Sequence, residues 1–223
     1  MIDYKVEYKK RKTVSLRLDS DGSLLVIAPI EMTKKEIEDL IISKKQWILK
    51  KQKILSDRKK LEPNKILYLG KEYNVKVIKG IGLKKNFITL YDDTFFVNVS
   101  SLDKVDLEIK KWFKEQTLKM VNEYVDKYSC YFKCKPKSIK IKEQKTRWGS
   151  CSYDNNLNFN WRLSMAKKEA LEYVVVHEMC HMVCKNHSSD FWNLVKKLMN
   201  NYEENSKYLD DNGYLFFEYK LVF

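Results

Sequence analysis

Period-two alternation opens the chain. The runs VEY, VSLRL and LLVIA between Tyr4 and Ala28, with a turn at Asp21-Gly22, predict a small antiparallel meander that Pro29 closes. A capping box follows, Thr33 with Glu36, and then Ile37, Leu40, Ile41, Trp47, Ile48 and Ile54 or Leu55 recur at helical spacing. That pattern predicts one helix over about residues 33–58. Strands are predicted near residues 66–69, 72–78, 86–90 and 94–99, separated by Gly70, Gly80, Gly82 and Asp92-Asp93.

From Ser101 or Asp103 a second long helix carries Val105, Ile109, Trp112, Phe113, Leu118, Val121 and Val125 toward a core and ends before Pro136. SIKIKE and NLNFNW alternate as strands, with Asp154-Asn155-Asn156 as the turn before the second. Residues 167–186 and 189–201 read as helices, and no internal repeat is visible. The expected fold class is α+β, with an N-terminal α+β region over residues 1–100 and a second domain over residues 101–223.

Composition narrows this picture. With 223 residues, 44% hydrophobic, and only 6 Gly and 3 Pro, the chain can bury a core and has little room for low-complexity linkers. Its start is charged from the third residue, unlike a secretory signal, and no apolar run is long enough for a membrane span. Five cysteines, an odd number, fit free thiols in a reducing compartment, so a cytoplasmic location is expected. The net charge of +13 invites a nucleic-acid reading. Most of it is lysine spread along helical stretches rather than arginine interleaved with aromatics, which keeps weak nucleic-acid or nucleotide association through a basic surface a secondary expectation.

The chemistry is concentrated in HEMCHMVCKNH. All three histidines, His177, His181 and His187, fall within eleven residues. His177 and His181 lie four apart in a helical run, so both imidazoles project from one face and can share an ion. Glu178 sits about 100° around the helix from His177, placed to hold a water on the metal without ligating it. A catalytic zinc also needs a third protein ligand. Cys184, seven residues after His177, stays on the same face, and three ligands in a row along a straight helix cannot surround an ion. His187 follows Lys185-Asn186, where the helix can end and the chain swing back, so His187 is the preferred third ligand and Cys184 the alternative.

The segments TRWGSCS at 146–152, NWRL at 160–163 and YVVVHEMCHMVCKNHSSDFW at 173–192, with SLRLDSDGSLLVIAP and KKQWILKK near the start, resemble the YgjP-like metallopeptidases, relatives of the SprT and WLM zincins. The resemblance implies a zincin-like core: a small twisted sheet, an active-site helix with His177, Glu178 and His181, and His187 after it, behind an N-terminal accessory region. Lys167 stands where family members often have proline. Cys184 replaces the glycine of the metzincin pattern.

The expectation is therefore a zinc-dependent metallopeptidase with an HExxHx5H site, one Zn2+ per chain, Glu178 as general base, and a peptide or protein substrate. Arg147 or Arg162 could stabilise the oxyanion, or each could fasten its loop to the core. NLNFNW is the candidate edge strand for pairing with substrate. Trp148, Trp161 and Trp192 are expected as core aromatics, and no fourth histidine is available to activate Cys151 or Cys180. The alternatives are a metal-dependent nucleotide phosphate (pyrophosphate) hydrolase and a nucleic-acid-associated zincin module.

Overall fold

The computed structural model describes residues 2–19, 21–58, 60–80, 85–217 and 221–222. Gly82, one of the expected strand separators, lies outside them. The chain divides into two compact units, Met1–Lys59 and Lys60–Phe223.

In the first unit β1 (Tyr4–Lys9), β2 (Ser15–Leu18) and β3 (Leu24–Pro29) form a sheet ordered β1-β3-β2. The expected meander is corrected here: β1 pairs with β3, and in parallel, while β2 runs antiparallel on its other side. Leu24, Val26, Ile27 and Ala28 are all buried, so β3 takes the centre, where a strand loses the most apolar surface to neighbours. The expected single helix is two, α1 (Lys34–Ser43) and α2 (Lys45–Ser56). Thr33 and Glu36 form both bonds of the capping box. At the break the Ser43 hydroxyl and the Lys44 amide both donate to the Leu40 carbonyl, at 2.7 and 3.0 Å, a competition that bends helices. Ile37, Ile41 and Ile48 close the unit's core against Leu24, Val26 and Ala28.

The second unit starts with a four-stranded sheet, β4 (Lys65–Tyr68), β5 (Lys71–Lys79), β6 (Phe87–Tyr91) and β7 (Thr94–Val99), ordered β4-β5-β7-β6. The long helix α3 (Val105–Tyr128) follows. A three-stranded sheet of β8 (Ser138–Lys142), β9 (Gly149–Cys151) and β10 (Asn156–Asn160) is ordered β8-β10-β9. Helices α4 (Lys168–Cys180), α5 (Ser189–Leu198) and α6 (Tyr202–Asn212) complete it. The architecture is mixed α+β, with six α-helices among the described residues. None of them is long and apolar enough to cross a membrane.

One continuous core runs from Ile66 and Val97 of the first sheet through Phe113 of α3 to Trp161 and Val175. The expected division at residue 100 thus falls inside this unit. Tyr68, Phe95, Trp112 and Phe113 cluster across the seam with centroids 4.9–6.0 Å apart, edge to face except for Phe95 and Phe113, which stack at 28°. Backbone bonds also cross it: the Leu69 and Gly70 amides donate to the Ser164 and Met165 carbonyls at 2.8 and 3.0 Å. Gly70 has φ +78, and a Cβ there would meet Lys167 at 3.2 Å, so only glycine suits this junction.

Two further differences bear on the site. NLNFNW, read as an edge strand, is the middle strand β10, paired on both sides. The edge beside α4 is instead β9, three residues that are too short to leave a period in the sequence. The helix expected over 167–186 stops at Cys180, and α6 follows a helix boundary at Met199 that has neither glycine nor proline to announce it.

Candidate metal centre

The chain builds this site from the end of a buried helix. Ala170, Leu171, Val174, Val175, Val176 and Met179 bury α4 on most sides, leaving His177 and Glu178 at its C-terminal end. His181 caps the helix in an αR conformation, with its amide 3.3 Å from the His177 carbonyl, so the two rings keep one-turn spacing although the helix has ended. The Met182, Val183 and Cys184 amides bond back to Met179 and Cys180, and this turn redirects the chain. His187 then lies just before α5, and its Nε2 is 3.1 Å from Nε2 of His177. One ligand atom from each of His177, His181 and His187 lies within 4.8 Å of the others.

Other side chains hold the three rings. Phe191, fully buried, stacks on His181 at 4.4 Å and meets His177 and His187 edge-on at 4.9 and 4.8 Å. Trp192 lies parallel to His187 at 5.6 Å. His181 Nδ1 is 3.0 Å from the Cys184 carbonyl, and the Tyr173 hydroxyl is 3.5 Å from His177 Nδ1. Cys184 thus meets the site through its backbone, and its thiol is not in the cluster. Nδ1 contacts of this kind leave Nε2 of His177 free to face inward.

Burial holds the His177 imidazole down to about 3, with repulsion from His181 and His187 added, and burial likewise lowers His181. Both rings are therefore neutral near pH 7, the form that ligates a metal. Glu178 is only 5% exposed, and burial pushes its carboxyl up to about 8 against the opposing pull of Arg147. Its Oε2 is buried without a hydrogen-bond partner. A nearby cation would favour the charged carboxylate, and a water held by that cation would satisfy the orphaned oxygen. Two imidazole nitrogens sharing a tetrahedral zinc stand ~3.3 Å apart, close to the separation of His187 and His177. The donor set fits such an ion.

A cavity of about 230 Å³ opens beside these groups, lined among others by Arg147, Gly149, Tyr173, His177, Glu178 and Ser206. The two arginines part company here. Arg147 is exposed at the cavity, whereas Arg162 lies between the Trp161 and Phe217 rings at 4.3 and 4.5 Å and pairs with Glu143 at 2.9 Å, which fastens the core. Trp161 is fully buried, and Trp148 packs on Phe216, so both are core aromatics, while Trp192 supports His187. Burial raises the Cys151 thiol and pushes Cys180 up to about 12, which leaves neither a ready nucleophile. Sequence reasoning missed Gly149, Tyr173, Phe191 and Ser206. Only Tyr173, one helical turn before His177, carried a local signal.

The YgjP-like metallopeptidase domain matches residues 12–212. The chain belongs to this family. Membership makes it a hydrolase-type metallopeptidase domain and implies a metal cofactor, typically zinc. Among solved structures the chain is similar to the metallopeptidase zymogen abylysin of Pyrococcus abyssi, at 19% identity and a TM-score of 0.36 over 48% of this chain and 99% of that one. No curated protein matches it at significant similarity.

Proposed function

We propose that this YgjP-like chain is a zinc-dependent peptidase whose second unit is a zincin-like catalytic domain, with Met1–Lys59 as an accessory unit. His177, His181 and His187 would hold one zinc ion in an HExxHx5H arrangement. One observation supports this most: three imidazoles converge beside a buried carboxylate that has an unpartnered oxygen. When bound, the ion supplies Lewis-acid polarisation of the scissile carbonyl and acidifies a water.

The rest falls to the chain's own groups. Glu178 takes the water proton on its carboxylate and later delivers it to the leaving amine. The backbone contact at His181 and the Tyr173 hydroxyl at His177 keep the rings oriented, so little reorganisation accompanies turnover. Arg147 at the cavity mouth is placed to offset negative charge on the reacting carbonyl. Strand β9 flanks this cavity through Gly149 and offers a sheet edge to an extended peptide, which favours protein or peptide substrates over compact ones. The cavity lining carries one guanidinium against the carboxyls of Glu178 and Asp210, a poor match for a nucleotide polyphosphate. Free thiols at all five cysteines suit a cytoplasmic setting.

Metal content per chain, measured by mass spectrometry, tests the reading. We expect about one zinc per chain in wild type and in Cys184→Ala, and little in His187→Ala. Glu178→Gln should keep the metal and lose cleavage of a casein-derived peptide mixture. Wild-type protein that takes up no zinc on dialysis would end the proposal.

A further inference from the structure

The metal site makes no use of the second helix of the N-terminal unit. Within α2 only Ile48 is buried, while Trp47, Leu49 and Ile54 are 43%, 48% and 45% exposed. Trp47, Lys50, Lys51 and Ile54 follow i, i+3, i+4, i+7 spacing and so form one stripe along the helix, turned away from Ile48. Four lysines, Lys45, Lys50, Lys51 and Lys53, lie on α2, which has no acidic residue. None of the four forms an ion pair among the described residues. Clustered like charges repel, and Lys50 and Lys51 have no acid one turn away to relieve them, as a solvated helix laced with pairs would. Only Lys53 has one, Asp57 at the helix end, and the two form no ion pair. Met1–Lys59 as a whole has 15 Lys and Arg against 9 Asp and Glu.

Such a face fits an anionic partner, and the indole narrows the choice. An exposed aromatic flanked by ammonium groups one turn along the helix presents a platform for one base with cations for the adjoining phosphates. A membrane surface suits it less well. Interfacial helices turn a continuous apolar face outward, whereas α2 directs Ile48 inward and intersperses its outer stripe with lysine. We propose that the Trp47, Lys50, Lys51 and Ile54 stripe of α2 is a docking surface for single-stranded nucleic acid. The surface is independent of the histidine site, so either reading can fail without the other.

Fluorescence anisotropy of a labelled thymidine oligonucleotide, titrated with the full chain at several salt concentrations, tests this. We expect binding that weakens steeply as salt rises, because phosphate contacts release counterions. Trp47→Ala should weaken binding about tenfold, the loss of one stacked base. Lys50→Glu with Lys51→Glu should both weaken binding and flatten its salt dependence, and His187→Ala should change neither. These positions are exposed, and unchanged circular dichroism would establish that the variants fold. Absence of binding at low salt overturns the proposal, as does binding indifferent to the α2 variants. Tighter binding to anionic phosphatidylserine vesicles, lost in Trp47→Ala, would also overturn it and make α2 a membrane-surface helix.

Discussion

A Cβ placed on Gly149 would stand 2.6 Å from both Cγ and Oε1 of Glu178, so the glycine at the start of β9 is what lets this carboxylate lie against the sheet edge. The contact joins the two parts of the proposed mechanism, the base and the strand that would receive substrate. Gly149→Ala should therefore push Glu178 out of position. We expect at least a hundredfold loss of peptide cleavage, since small misplacements of a catalytic group are that costly. Zinc content should stay at the wild-type level, because the atoms nearest that Cβ all belong to Glu178 and not to the three rings. Equal cleavage by the two proteins would dismiss this role for the glycine.

The loop leading into β9 depends on a buried amide. Asn160 is fully buried at the end of β10, and its Nδ2 donates to the Gln144 and Arg147 carbonyls at 2.8 and 3.3 Å. Its Oδ1 accepts from the Arg162 amide at 3.2 Å, which starts the next turn. Asn160→Ala leaves two carbonyls and one amide without this partner and should lower stability by about 2–3 kcal/mol. Urea unfolding of the metal-free variant and wild type measures the difference. A loss below about 0.5 kcal/mol would mean that water replaces the side chain and that the loop is held elsewhere.

What the sequence disclosed about this site followed how local each feature is. His177, Glu178 and His181 are related by a single helical turn, and His187 by one short connection, so spacing alone brings them together. The place of β10 depends on partners 18 residues earlier and a few residues away on its other side, and nothing within NLNFNW distinguishes a middle strand from an edge. For the same reason the alternation that predicts a meander does not reveal that β1 pairs with β3: it marks a strand but not its partner. Gly149 against Glu178 and Phe191 among the histidines are contacts between elements, which periodicity does not encode.

Tyr173 is the outer contact most open to test. It lies one turn before His177, is 6% exposed, and its hydroxyl hydrogen-bonds Ser206 of α6 as well as approaching His177 Nδ1. Tyr173→Phe removes that hydroxyl alone. If it orients the ring, zinc affinity should fall about tenfold or more, as for other partners of ligating histidines. Competition with a chromophoric chelator measures this, with the melting temperature of the metal-free variant as the control for folding. An unchanged affinity would reduce Tyr173 to a packing residue.

The ion pair of Glu143 with Arg162 predicts a pH dependence. The hydrogen bond from Arg162 holds the Glu143 carboxyl below its ordinary value, against burial and with help from Lys110. A carboxylate with a lowered folded-state value contributes stability above its ordinary value of 4.5, and the contribution disappears as pH falls through the folded-state value. Glu143 is 43% exposed, so solvent screens the pair and the contribution should stay below about 1 kcal/mol. Glu143→Gln should accordingly be slightly less stable than wild type at pH 7, with the gap closing toward pH 3 as the wild-type carboxyl protonates. Guanidinium would mask the charge, so urea unfolding at both pH values is the appropriate measurement. A gap of the same size at pH 3 would trace the effect to packing of the side chain rather than to its charge.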